Sequence, residues 1–166
     1  MAVTTTIKTP SECSHSELGD FAALVLAGGE VTLVGLNDRI KDAHVLIFLH
    51  KNYCLVGIAA LKNPNSNYRA AVFKNANSTQ PYEQYPLELG WIFVLPSARN
   101  NGYSKRLVRA AVEHARQRQI FATSRTDNPH MHTPLLNEAF VKHGSDYKSH
   151  RGMYSLSLFL RSRPTE

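Results

Sequence analysis

Apolar residues recur along this chain with two periods, and the switches between them predict an alternation of strands and helices. Thr4 to Lys8 is a short β-rich stretch ended by Pro10. Ser16 to Leu26 sets Leu18, Phe21, Ala22 and Val25 at helical spacing and is stopped by Gly28-Gly29. Turn chemistry through Gly35-Leu36-Asn37-Asp38 precedes a second short helix. Ala43 to Leu49 and Tyr53 to Leu61 are apolar, β-rich runs parted by a polar break containing Lys51-Asn52, the pattern of a hairpin. Asn63 to Tyr85, rich in Asn, Ser, Pro and Tyr, reads as a long, partly ordered excursion with a strand at Arg69 to Phe73.

The second half carries the strongest periodicity. From Leu87 to Leu95 the side chains alternate, with Leu87, Leu89, Trp91, Phe93 and Leu95 on a predicted core face and Glu88, Gly90, Ile92 and Val94 on the other. Pro96 ends this strand and a turn over Ser97 to Asn101 follows. Gly102 to Arg118 then places Leu107, Val108, Ala111, Val112 and Ala115 on one helical stripe, opposite Lys105, Arg106, Arg109, Glu113 and Arg116. Ile120 to Thr123 is a further short strand. Thr133-Pro134 reads as an N-cap with proline at the first helical position, opening a helix that runs to His143 and stops at Gly144. Met153 to Arg161 is a closing strand. With no internal repeat and no linker-like composition, a single domain over residues 1–166 is expected.

Composition narrows the classes. Cys13 and Cys54 are far apart and have no metal-ligand spacing, which argues against a disulfide framework and a zinc site; no metal is expected. The first ten residues lack the signature of a secretory signal, and the longest apolar runs are far below the ~20 residues that cross a bilayer. A soluble, cytoplasmic protein is therefore expected, as a monomer or homodimer. The net charge of +6 is uneven, since residues 1–61 are net negative and residues 62–166 carry 15 Lys/Arg against 7 Asp/Glu. Such an excess suits a solubilising surface or a polyanionic partner, either nucleic acid or a phosphorylated cofactor.

Between the strongest strand and the strongest helix lies Arg99-Asn100-Asn101-Gly102-Tyr103-Ser104. Amides at a helix start, with the positive end of the helix dipole behind them, make an anion site suited to a pyrophosphate; an ordinary glycine turn with an Asn cap is the alternative. This stretch resembles the phosphate loop of the GCN5-related N-acetyltransferases, Gln/Arg-x-x-Gly-x-Gly/Ala after a β-strand, with Arg99, Gly102 and Ser104 in its three defined places. Serine at the last place is a departure. A second stretch, Ile120 to Thr123, then Asn128, then Phe140 to Ser145, is similar to the family's later motif, in which a strand is followed by an Asn and a helix closing on Tyr-x-x-x-Gly-Phe. Here Gly144 takes the glycine place, Phe140 and Ser145 stand for Tyr and Phe, and the gap from Asn128 is about one turn too long.

The resemblance covers roughly Tyr53 to Arg161. It implies an α/β (α+β) fold, with a mixed sheet of about six or seven strands, about four flanking helices, and a splayed central strand pair forming the acetyl-CoA cleft. It implies that backbone groups of Ile92, Phe93 and Val94 pair with the pantetheine arm. The amides of Arg99, Asn100, Asn101, Gly102, Tyr103 and Ser104 would hold the pyrophosphate, and Asn128 would bond the pantetheine region. The activity implied is acetyl transfer from acetyl-CoA, a cosubstrate, to a primary amine by direct attack.

That chemistry needs a base to make the amine neutral and is helped by an acid for the leaving thiolate. Glu88 lies on the face of Gly90, where the missing side chain leaves room for a substrate, and its eleven-residue spacing before Arg99 matches the glutamate base of histone-acetylating members. A solvated or salt-bridged Glu88 is the alternative. With Phe140 at the tyrosine place, Tyr147, His132 and His143 are substitutes for the acid. The acceptor is a small-molecule, peptide or protein amine. Acetylation of a nucleic-acid-linked amine such as aminoacyl-tRNA, and a non-catalytic acyl-CoA sensor, are the competing readings.

Overall fold

The computed structural model describes residues 2–29 and 31–163. In chain order the elements are β1 (Val3–Lys8), α1 (His15–Ala27), α2 (Leu36–Lys41), β2 (Val45–Lys51), β3 (Cys54–Lys62), α3 (Ser66–Asn75), β4 (Leu87–Val94), α4 (Tyr103–Ala115), β5 (Ile120–Arg125), α5 (Pro129–Asn137), β6 (Val141–Lys148) and β7 (Ser155–Arg161). The strands form one mixed sheet in the order β1-β2-β3-β4-β5-β7-β6. By contact the chain divides into two compact units, Met1–Lys62 with Leu89–His114, and Asn63–Glu88 with Ala115–Glu166.

In the first unit β1 pairs antiparallel with β2, and β2 with β3, across a turn whose residues Asn52 and Tyr53 both have positive φ. That backbone matches the strand twist and fixes the hairpin the apolar pattern predicts. Helix α1 starts at a capping box: Ser14 Oγ accepts the Glu17 amide at 3.0 Å while Glu17 Oε1 accepts the Ser14 amide at 2.8 Å. It buries Phe21 and Val25 into a core with Leu36, Ile40, Leu46, Phe48 and Ile58, against which Trp91 and Phe93 of β4 pack. The stripe foreseen on α4 is buried at all five positions. At about 1.5–3 kcal/mol for each large side chain, that stripe ties the helix to its unit.

In the second unit β5 pairs antiparallel with β7, and β7 with β6, while the parallel ladder of β4 with β5 joins Leu87 to Ile120 and Glu88 to Phe121. Three expectations are corrected here. The excursion is ordered, and Arg69 to Phe73 is helix, not strand: Asn65 Oδ1 accepts the Tyr68 amide at 2.8 Å, capping α3, which buries Val72 and Phe73. This is the helix beyond the four expected. The last helix does not start at Thr133. It starts after Asn128 with Pro129 at its first position, and Pro134 lies inside it, with Thr133 Oγ1 turned back to the Pro129 carbonyl at 3.3 Å. Nor does it reach His143, because Ala139 (φ 67) ends it and residues 141–148 form β6, a strand the periodicity does not reveal.

Gly144 therefore stops no helix. Its φ of 72 falls at the irregularity in the β6–β7 register, and a Cβ there would collide with the Ala76 carbonyl oxygen, which accepts the Ser145 amide at 2.7 Å. Ser78 Oγ and His143 Nδ1, 2.9 Å apart, add to this docking of the α3 terminus on β6. His143 is thus a packing residue.

Candidate active site

Strand β4 carries the site residues, and its alternation breaks at one place. Trp91 has φ 52, a conformation that an aromatic residue adopts only at a cost of order 1–3 kcal/mol. Its ring is held edge-on to Phe21 with centroids 6.1 Å apart, and the Lys62 ammonium lies 4.7 Å from its centroid. The two-face reading of the strand fails: Glu88, expected on the open face, is 3 % exposed, and Val94 is buried while Trp91 and Phe93 are half-buried. The space beside Gly90 is also not open. A Cβ there would stand 2.7 Å from Lys62 Cε and 3.0 Å from its Nζ, so the glycine admits the lysine side chain.

Glu88 is neither solvated nor isolated. The Tyr68 hydroxyl donates to its Oε2 at 2.8 Å, and Tyr147 packs on the same second-unit cluster. Burial, and then the negative charge of Glu88, push the Tyr147 phenol up to about 12, opposed by Arg151. The same two causes push Tyr68 up further still. Both phenols therefore keep their protons at neutral pH. The sequence does not reveal Tyr68, because the contact joins residues 20 apart through a helix whose pattern reads as a partly ordered excursion with a strand; the Asn65 cap is the available signal. His132 goes elsewhere: its Nε2 donates to the Arg125 carbonyl at 2.9 Å and its ring lies 5.1 Å from Phe159.

The turn before α4 is built by its own polar residues. Asn101 Nδ2 donates to the carbonyls of Ala98 at 2.9 Å and Arg99 at 3.1 Å. Arg99 Nε donates to the Val94 carbonyl at 3.1 Å, with its guanidinium 5.6 Å from the Phe93 ring centroid, so this arginine clamps the strand end. Asn100 (φ 65) and Gly102 (φ 73) are left-handed on either side of Asn101, an alternation of the kind from which anion-binding nests are built. The first bond in the helix turn runs from the Arg106 amide to the Gly102 carbonyl at 3.1 Å, so the amides of the first helical turn have no intrahelical partner, while the Arg99 amide donates to the Pro96 carbonyl at 3.4 Å. A Cβ at Gly102 would meet nothing within 4 Å. Open space, oriented amides and a 13-residue helix dipole fit a pyrophosphate.

Asn128 is the half-buried residue before α5, and its side chain makes no cap bond. The helix closes on left-handed Ala139 and on Phe140, 1 % exposed, while Gly144 and Ser145 lie on β6. Among the described residues no group of three His, Cys, Asp or Glu is arranged to hold a metal, and no helix is long and apolar enough to cross a membrane.

A mixed sheet of seven strands flanked by five helices is the fold of the solved acetyltransferase structures that this chain resembles. The acetyltransferase (GNAT) family model matches residues 21–133, more than half of the chain, and the chain belongs to that family of acetyltransferases. Solved structures share the fold at low identity. ElaA of Escherichia coli is 13 % identical, with 97 % of this chain and 100 % of that one covered and a TM-score of 0.71. The yncA protein of Salmonella typhimurium, solved with its cofactor acetyl-CoA, is 12 % identical, with 98 % and 94 % covered and a TM-score of 0.66. A ribosomal-protein-alanine N-acetyltransferase of Brucella melitensis is 16 % identical, with 95 % and 99 % covered and a TM-score of 0.65. No curated protein matches the sequence.

Proposed function

We propose that this acetyltransferase moves the acetyl group of acetyl-CoA to a primary amine by direct attack, with Glu88 as the base. The observation that carries the reading is a carboxylate, 3 % exposed and bonded by a phenol, six residues before the end of the strand that leads into the open amide turn. Bound acetyl-CoA supplies a thioester carbonyl. The amides from Arg99 to Ser104 hold its pyrophosphate, and the backbone of Ile92 to Val94 pairs with the pantetheine arm. The Val94 carbonyl already accepts from Arg99, but its second lone pair is available in principle to a further donor. Asn128 bonds the arm from α5.

Glu88 takes the proton of the attacking ammonium, directly or through one water, and only the neutral amine forms the new C–N bond. Tyr147, which keeps its proton at neutral pH, takes the place of donor to the leaving thiolate, because the Nε2 of His132 is occupied. Because a thiol has a pKa of about 8.5, the departing group demands little help. The test is labelled-acetyl transfer by Glu88→Gln. Loss of rate at pH 7, partly recovered as rising pH supplies neutral amine, supports the base; an undiminished rate rejects it.

The exposed Lys105, Arg106 and Arg109 of α4, with Arg116 just past its end, keep a nucleic-acid-linked amine as the second reading. A steep loss of acceptor affinity with salt separates it from a small or peptide amine.

A further inference from the structure

We propose that Tyr68 is a positioning residue for Glu88, fixing one carboxylate oxygen so that the carboxylate meets the acceptor amine in a single orientation. This rests on Glu88 being the base and deepens that reading. The phenol donates to Oε2 at 2.8 Å, and Glu88 is almost fully withdrawn from water. Tyr68 is itself held at both ends: Asn65 Oδ1 accepts its amide at 2.8 Å, and its ring packs against the second-unit core with Val72, Phe73, Tyr85 and Phe121. A base on a strand gains rate only where its oxygen stays within a fraction of an ångström of the proton it takes, which requires a supporting group whose own rotamer is locked. Tyr68 is such a group, and its raised phenol leaves it a donor to Glu88 rather than a competing base.

The experiment is a double-mutant cycle of wild type, Tyr68→Phe, Glu88→Gln and the double variant. Thiol release from acetyl-CoA is followed with whichever amine is acetylated from a panel of amino acids, polyamines and peptide amino termini, and with water as the acceptor if none is. Glu88→Gln is expected to lower kcat about 10²–10⁴-fold. Tyr68→Phe should lower kcat about ten- to a hundred-fold, the size of a lost hydrogen bond to a charged group, with the acetyl-CoA dissociation constant within about twofold. In the Glu88→Gln background the same change should alter the rate less than about threefold, since a residue acting through Glu88 has nothing left to act on.

A Tyr68→Phe variant at wild-type rate beside a crippled Glu88→Gln overturns the role of Tyr68 and leaves the base reading standing. Equal effects in both backgrounds make Tyr68 a structural residue and overturn the proposal. A wild-type rate in Glu88→Gln removes the base, and the role of Tyr68 with it. Should Tyr68→Phe fail to fold, the ¹³Cζ resonance of Tyr68 is compared between wild type and Glu88→Gln. A shift supports the contact, and an unmoved resonance overturns it.

Discussion

Replacing Gly102 by valine separates a ligand effect from a folding effect, because the structure assigns the two different sizes. The residue has φ 73, and left-handed backbone costs an L-residue about 1–2 kcal/mol. Beyond its two chain neighbours no atom lies within 4 Å of an added Cβ, so the side chain enters open space. The fall in Tm follows at about 2–4 °C per kcal/mol for a chain of this length, hence about 2–8 °C. A domain of ordinary stability, about 5–15 kcal/mol, stays almost wholly folded after such a loss, so a reduced folded fraction cannot weaken binding measurably. A phosphate against the turn meets the new side chain and loses at least one charge-assisted bond, of about 1.5–3 kcal/mol. Acetyl-CoA affinity should therefore fall at least about tenfold by calorimetry. Gly35→Ala is the control: that residue also has positive φ (75) and only the end of the Arg39 side chain, at 3.4 Å, near its Cβ, so it should lower Tm similarly and leave affinity unchanged. A Gly102→Val protein that binds within twofold of wild type would refute the phosphate-turn argument.

Gly144→Ala should be far more damaging to folding, costing about 3 kcal/mol or more, since the Cβ must displace the Ala76 carbonyl and the Ser145 bond to it; a Tm within 2 °C of wild type would contradict this docking. Gly90→Ala should push the Lys62 ammonium off the Trp91 ring at little cost in stability, because the obstructing atoms are the end of a flexible side chain. Trp91 is the single tryptophan, so its emission must change, and an unaltered spectrum would reject the contact. Tyr147 ionises near its ordinary value of 10 when unfolded and at about 12 when folded. The native state thus holds its proton longer, and stability falls as pH rises from 10 through 12. Tyr147→Phe should flatten that fall in denaturant titrations, and an equal slope would reject the burial of the phenol.

How legible these features were depends on whether local pattern or distant contact decides them. Helix α4 was plain because all five stripe residues sit on one face and all five are buried. The β2–β3 hairpin was plain because apolar runs flank a polar turn. Helix α3 was not, since its buried Val72 and Phe73 are adjacent and its polar residues are scattered, and only the Asn65 cap marks its start. The C-terminal elements misled through glycine and proline: Gly144 serves a strand irregularity, Ala139 does the helix-ending that glycine usually does, and Pro129, not Pro134, opens the helix. Of the candidate site residues, the turn from Arg99 to Ser104 is legible as a polar glycine turn between strand and helix, and Glu88 through its strand position and its spacing before Arg99. Tyr68 and Lys62 are not, because each reaches β4 from another element.

The central claim is direct transfer of an acetyl group from acetyl-CoA to an amine. It is tested most directly by incubating the protein with isotope-labelled acetyl-CoA and the amine panel, then weighing both the products and the intact protein by mass spectrometry. Direct transfer puts label on a primary amine, dependent on Glu88, while the protein itself stays unlabelled throughout turnover. Acetyl-CoA bound but never consumed, or label passing through an acetylated protein before reaching the amine, would contradict it.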